Sequence, residues 1–378
     1  MRKKILITTE SLIVGGVETA LISLVKYLNT MDVEIDISVL GGGIFMDELK
    51  KINNVNIIPV KIPKNPIVSR VFKNLLCNSL YKKYKKNNTK KYDIAIAYYG
   101  INNYCDLYAA ASNAKEKYLW VHNNFDAFPK FSFYKLIFLV RNKIMSRKFK
   151  YFDKIVAVSE SSRKGFCKIF PKYSDKTIVV NNIMDYARLD GRYEKCDFKM
   201  KGSNKLLYVG RLAPIKRVDL LINEFEKVLS KLNNSILYIV GDGTERKKLE
   251  LIVNEKKLQN NVVFLGNQKN PFKYMEQADV LVSASSMEAY SINTLEALAM
   301  QKYFVNANNP GAKDIFYYTN EANFNNGIVC DVEDMHHHII YYLRNKKNIK
   351  PKFDITNANK LIEEELKRIF DLNEKKKS

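Results

Sequence analysis

The stretch from Ser283 to Met300, SASSMEAYSINTLEALAM, decides how the rest of the chain is read. It opens as the end of an apolar run, 278–282, that reads as a buried strand. One carboxylate follows at Glu288 and a second at Glu296, with seven residues between them. Ser291 is placed to cap a helix in which Ile292, Leu295, Leu298 and Ala299 recur at helical spacing. Glu288 then falls in the turn before the helix and Glu296 near its second turn. A helix N-terminus presents unpaired N–H groups and about half a positive charge, which suits a phosphate. A nucleoside diphosphate could rest over such a turn while the carboxylates take hydroxyls. Taken alone, the pattern equally describes a strand, a turn and a surface helix with two solvated glutamates. Its company decides.

Upstream, a strand over 205–209 runs into the turn Gly210-Arg211-Leu212, with Lys216 close behind and a helix from 219 to 229. A strand over 236–240 runs into Gly241-Asp242-Gly243, and further strands are expected at 262–265, 280–282 and 303–305. A turn after a parallel strand lies at the sheet's carboxyl edge, where doubly wound folds bind ligands. Arg211 offers a planar fork of donors and Lys216 a point charge. Together they could neutralise a diphosphate and the charge that grows on it as it leaves.

The first half repeats the alternation. A strand at 4–8 leads through Gly15-Gly16-Val17-Glu18 into a helical pattern at Ala20, Leu21, Leu24, Val25 and Leu28. Strands follow at 35–40, 55–60, 94–97, 118–121, 155–158 and 177–180, with helical patterns between several of them. Such alternation argues for parallel sheets covered on both faces. The expected domains are 1–185 and 204–355, joined by a polar linker at 186–203. A last helix, 356–372, is expected to pack back on the first domain.

At 378 residues the chain can bury two cores of ordinary size, and 46% hydrophobic with 27% charged residues excludes a disordered chain. No apolar run reaches the roughly 18 residues that would span a bilayer, and Thr8, Thr9 and Glu10 cut the first apolar stretch too short for a secretory signal. A cytoplasmic protein is expected. Five scattered cysteines without a CxxC pair suggest neither disulfides nor zinc. His336, His337 and His338 point in different directions on a helix, so no metal site is expected there. The net charge of +22 calls for a large anionic partner. Two stretches carry much of it: 64–92 holds nine Lys and Arg and no acid, and 127–152 is again acid-free, with Lys135, Arg141, Arg147, Lys148 and Lys150 interleaved with aromatics such as Phe131, Tyr134 and Phe149. The second reads as an interfacial membrane element. Its alternative is a charged helix whose aromatics pack inward.

The carboxylate pair, Val209-Gly210-Arg211-Leu212 with Lys216, Gly241-Asp242-Gly243, Phe264-Leu265-Gly266 and Pro310-Gly311-Ala312 with Asp314 come in one order. That set resembles the family 4 glycosyltransferases, whose E-x7-E motif usually begins Glu-Gly-Phe-Pro. Here the motif reads Glu288-Ala289-Tyr290-Ser291, without the small Gly and the Pro. The resemblance covers about 206–329 well and the first half more loosely, through Gly15-Gly16 and through His122 after an apolar strand. It implies an α/β protein of the GT-B fold: two Rossmann-like domains with parallel sheets facing across a cleft. It implies that Arg211 and Lys216 bind the donor diphosphate and stabilise it as it leaves, and that Glu288 holds the donor sugar. Glu296 would bind the ribose, with Gly241, Gly243, Leu265, Ser291 and Ile292 lining the nucleotide site. His122 would touch the transferred sugar, and Gly15 and Gly16 would let backbone approach phosphate or acceptor.

The implied reaction is retaining transfer from a nucleotide sugar, a UDP-sugar before a GDP-sugar, without metal or other cofactor. The acceptor would be a glycan, lipid-linked, in capsular or other envelope polysaccharide synthesis at the inner face of a bacterial membrane, with no nucleic acid as partner. Two rivals stand beside it. A sugar-nucleotide epimerase of the same architecture would change the donor without any acceptor. A non-catalytic basic membrane-binding protein would neither cleave nor transfer it.

Overall fold

The computed structural model describes residues 2–59 apart from 14, 40 and 44, 81–99 apart from 83, 87 and 88, and 103–123, 146–185, 198–268, 270–318, 326–349 and 353–373. The chain divides into two compact units, Met1–Asp185 with Asn359–Ser378, and Tyr186–Ala358.

The first unit is built on a parallel sheet of β1 (Lys3–Thr9), β2 (Val33–Val39), β3 (Val55–Pro59), β4 (Lys91–Ala97), β5 (Asn113–Val121), β6 (Lys154–Ala157) and β7 (Thr177–Val179), in the order 3-2-1-4-5-6-7. Its central strands are apolar on both faces, as a sheet covered on both sides requires; Ile5, Leu6 and Ile7 of β1 are all buried. Strand β5 begins five residues earlier than its apolar part. Its polar start is held by ladder bonds to β4, with Lys91 opposite Asn113, and hydropathy does not report such bonds.

The helix Ile355–Phe370 adds its C-terminal part to this unit. Tyr118 Oη donates to the Ile369 carbonyl at 2.9 Å, Phe370 packs edge-on to Tyr118, and Tyr27 Oη donates to the Glu363 carbonyl at 3.0 Å. Asn359 bonds the Met184 backbone twice, accepting from its N–H and donating to its carbonyl.

The second unit carries β8 (Asn204–Val209), β9 (Ser235–Val240), β10 (Val262–Gly266), β11 (Val280–Ser283), β12 (Tyr303–Ala307) and β13 (Gly327–Cys330), all parallel, in the order 10-9-8-11-12-13. This is the doubly wound order, which reverses between β8 and β11. Strand β13 is only four residues long, too short to stand out as an apolar run in the sequence. The helix Val218–Leu229 buries Val218, Leu221, Ile222, Phe225 and Val228 along one stripe. The helix Met335–Asn345 packs Met335, Ile339 and Leu343 into the same core. Each such side chain contributes about 1.5–3 kcal/mol through burial.

Most of the expected interfacial element lies outside the described residues, as does much of 64–92. At the described end of the former, Lys148 and Phe149 are buried, so neither can meet a membrane. Lys148 pairs with the buried Asp106, and Phe149 packs against Phe166, Phe170 and Tyr173. Among the described residues no helix is long and apolar enough to cross a membrane.

Candidate active site

The carboxyl edge of the second sheet gathers the sequence's candidates because three strand ends are stitched there. Gly210 N–H donates to the Val240 carbonyl at 2.9 Å, and Gly241 N–H to the Gly266 carbonyl at 2.8 Å. Gly241 has φ +129°, and a Cβ there would stand 1.9 Å from the Gly210 carbonyl oxygen, so only glycine fits. Gly243 closes against Leu212, whose N–H donates to the Asp242 carbonyl at 2.9 Å.

Arg211 emerges from this turn exposed, with its backbone fixed. Its carbonyl accepts from the Tyr208 hydroxyl at 3.2 Å and from Ala213 N–H at 3.0 Å. Tyr208 is buried, and burial, helped by the Glu288 charge, raises its hydroxyl pKa well above the ordinary value. It stays a neutral donor.

Lys216 ends the short 3-10 turn Pro214–Lys216. The preceding carbonyl, of Ile215, accepts from Ser286 N–H at 3.0 Å and from Ser286 Oγ at 3.1 Å. The lysine's turn is thus tied to the loop that carries Glu288, and Lys216 Nζ meets Glu288 Oε1 at 2.5 Å. The loop after β12 approaches the same place. A Cβ on Gly311 would stand 2.6 Å from the Glu288 carbonyl oxygen, and Asn309 donates to the Ser285 carbonyl at 3.1 Å.

The helix Ile292–Ala299 follows, with Glu296 buried in its second turn. Ser291 holds the N-cap position but makes no side-chain capping bond. Its hydroxyl instead accepts from Thr294 Oγ1 at 2.7 Å, which in turn accepts from Asn306 Nδ2 at 2.5 Å. The expected cap is drawn into a polar chain reaching β12. On the edge strand β10, beside β9, a bulge falls at Leu265, and the Leu265 carbonyl accepts from Gln268 Nε2 at 2.7 Å. Arg246 covers the Phe264 ring at 4.8 Å.

One edge of one sheet therefore brings together Arg211, Lys216, Glu288, Glu296, Ser291, Ile292, Gly241, Gly243 and Leu265. It offers two cations for an anionic leaving group beside carboxylates for hydroxyls. Sequence pattern alone does not single out Tyr208, Asn309 or the Ser285-Ser286 pair. A tyrosine inside an apolar strand signals only core, although the serine doublet at a strand end is a visible hint.

Gly15, Gly16 and His122 lie in the first unit, at the carboxyl ends of β1 and β5. The His122 ring packs on the buried Tyr98 at 4.6 Å and is hydrogen-bonded to the Tyr98 backbone. Nε2 is closed off from water with no partner. Burial pulls the imidazole pKa down to about 3, so the ring is neutral at pH 7 and offers no imidazolium donor. Gly15 precedes the helix Gly16–Leu28, and the first turn of that helix holds the buried Glu18. Glu18 accepts from Ser11 Oγ at 3.1 Å, and its other oxygen would lie 2.5 Å from a Cβ on Gly15. The protein's own carboxylate thus occupies this helix start, which favours a neutral hydroxyl over a phosphate there.

Comparison with known proteins follows the same division. Residues 14–188 match the profile described as Glycosyltransferase Family 4, and residues 194–360 match Glycosyl transferases group 1. An uncharacterized glycosyltransferase of Methanocaldococcus jannaschii, MJ1059, is 32% identical over 194 residues, 50% of this chain and 47% of that protein. The N-acetylgalactosamine-N,N'-diacetylbacillosaminyl-diphospho-undecaprenol 4-alpha-N-acetylgalactosaminyltransferase of Campylobacter jejuni is 26% identical over 199 residues, 52% of this chain and 50% of that one. The chain spans about half the length of the curated relatives it matches. Among solved structures, Anabaena Alr3699/HepE with UDP and glucose superposes with a TM-score of 0.70 over 96% of this chain and 99% of its own, at 17% identity. That likeness is one of fold. The chain belongs to the family 4 glycosyltransferases, with the GT-B fold of two Rossmann-like domains.

Proposed function

We propose that this protein is a retaining glycosyltransferase that moves a sugar from a nucleoside-diphosphate donor, a UDP-sugar, to a lipid-linked glycan during envelope polysaccharide synthesis. The observation that carries the reading is the 2.5 Å contact of Lys216 with Glu288 on the sheet edge that also presents Arg211. Cations for the diphosphate stand beside a carboxylate for the sugar. As the glycosidic bond breaks, negative charge grows on the β-phosphate, and Arg211 and Lys216 stabilise it. Glu296 binds the ribose and Glu288 the sugar hydroxyls. The departing phosphate serves as base for the incoming hydroxyl on the same face, so configuration is kept. With two protein cations at the diphosphate, no metal ion is required.

The Campylobacter relative is named for an undecaprenol-diphosphate-linked acceptor, and HepE was solved with UDP; both support the choice of partners. The excess of basic residues suits an anionic membrane surface, where such an acceptor resides. The test is a thermal-shift screen of nucleotide sugars, followed by incubation of the donor that binds with and without lipid-linked acceptor in EDTA. Acceptor-dependent release of UDP in EDTA is expected. Epimerised donor without acceptor would favour the isomerase reading, and activity restored only by magnesium or manganese would overturn the metal-free site.

A further inference from the structure

Asn293, the second residue of the helix Ile292–Ala299, has no part in the reading above. Its amide reaches far back in the chain and donates to the Val209 carbonyl, the last residue of β8. The sheet explains why that carbonyl needs a partner. Pairing between β8 and β11 ends at Leu207 opposite Leu281, whereas pairing between β8 and β9 continues to Val209 opposite Val240. Both strands run two residues further, β8 to Val209 and β11 to Ser283, without pairing to each other, and on that side a side chain from the helix takes the carbonyl.

The next residues are the cation's turn. Gly210 follows Val209, and Arg211 follows Gly210, with its carbonyl held from beneath by Tyr208. On the helix, Asn293 and Glu296 are three residues apart and so share a face. We infer that Asn293 is a positioning residue that sets the Arg211 turn in register with the helix bearing Glu296. It acts on the reaction only through where Arg211 stands. This rests on the donor reading proposed above, but the hydrogen bond and the early end of the β8–β11 pairing do not.

An asparagine in a first helical turn commonly bonds nearby backbone of its own segment. This one is committed to a different strand. Replacing it leaves the Val209 carbonyl bare and frees the turn, while every group that touches the donor remains.

The test uses the full chain with Asn293→Ala and with Asn293→Asp, which keeps the shape but cannot donate. Hydrogen exchange at the amides of 210–213 should speed up in both, with the midpoint of unfolding little changed. With UDP-glucose as donor, kcat should fall about tenfold through misplacement of the cation, while UDP affinity changes less than about threefold. In an Arg211→Ala background the same substitution should cost nothing further, because it acts through the missing group. Full additivity with Arg211→Ala, or unchanged exchange at 210–213, would overturn the inference. Should the natural protein neither bind nor cleave UDP-sugars while the variants' turn still loosens, the donor reading falls and the tie between Asn293 and the turn stands.

Discussion

Lys216 Nζ stands 2.5 Å from Glu288 Oε1, and each side chain keeps only 19% of its surface exposed. Without donor, the site's cation and carboxylate neutralise each other. On the proposed reading an incoming diphosphate would compete for the lysine and leave each group free for its own part of the donor, which would couple binding to catalysis through this one pair.

Removing the cations should therefore act on turnover. Arg211→Ala and Lys216→Ala are each expected to lower kcat by on the order of 10² to 10³, the usual loss for one preorganised charge-stabilising group. On the proposed reading Glu288 holds a sugar that changes shape as the bond breaks, so Glu288→Gln should alter both kcat and KM. Because Lys216 and Glu288 are in contact, the double variant should cost less than the product of the singles. Steady-state kinetics on the natural donor decides. A Lys216→Ala variant near wild type would remove the lysine from the mechanism.

Glu296 should behave differently. The ribose is the same before and after transfer, so interactions with it are uniform across the reaction. Glu296→Gln is expected to raise KM with a smaller fall in kcat. Loss of turnover at saturating donor, with nucleotide affinity intact, would place Glu296 at the reacting sugar instead.

The depressed His122 pKa gives a pH prediction whose sign can be worked out. In the folded protein the imidazole protonates only near pH 3, against an ordinary value of 6.5. Between those values the unfolded chain binds a proton that the folded chain does not, so stability rises with pH and is lost as pH falls through that window. Its contribution is about 1.4 kcal/mol per pH unit, or about 2 kcal/mol between pH 7 and pH 5. His122→Asn should remove that part of the acid sensitivity in urea titrations at the two pH values. The same difference at both would mean that His122 takes up its proton alike in the folded and unfolded chains, and the depressed pKa would be wrong. Activity should show no descending limb near pH 6.5 from this residue.

Much of the fold was legible because its strands are buried on both faces and read as apolar runs bounded by Gly-containing turns. The polar start of β5 and the four-residue β13 were not, since ladder bonds leave no trace in hydropathy. The site's charged residues stood out for their chemistry: Arg211, Lys216, Glu288 and Glu296 follow strand ends in a fixed order. Their supports did not. Tyr208 looks like core until its hydroxyl is seen under Arg211, and Asn293 looks like an ordinary helix residue until the early end of the β8–β11 pairing is known. Lys148 misled in the opposite direction. Within an acid-free run its charge suggests a surface, yet Asp106, 42 positions away, lets it be buried, and pairing at that separation cannot be read from spacing. The ring of Phe149 beside it packs inward against Phe166, Phe170 and Tyr173.

With Lys148 accounted for, the membrane prediction rests on the lysines that remain exposed. Lys82, Lys85 and Lys86 are exposed, while Tyr84 between them is buried against Leu107 and Ala111. The segment thus has an inner anchor and an outer charged side. Each basic residue near an anionic bilayer contributes about 1 kcal/mol, and the attraction is screened within a Debye length of about 8 Å at physiological salt. Binding to vesicles with phosphatidylglycerol should therefore weaken steeply as salt rises and be slight on neutral vesicles. Lys82→Gln, Lys83→Gln, Lys85→Gln and Lys86→Gln together should release the protein from acidic vesicles. Tyr84 keeps its packing in that variant, so the midpoint of thermal unfolding should hold, as should nucleotide binding in the other unit. Unchanged partitioning of the fourfold variant, or binding that ignores salt, would show that this face does not meet a membrane.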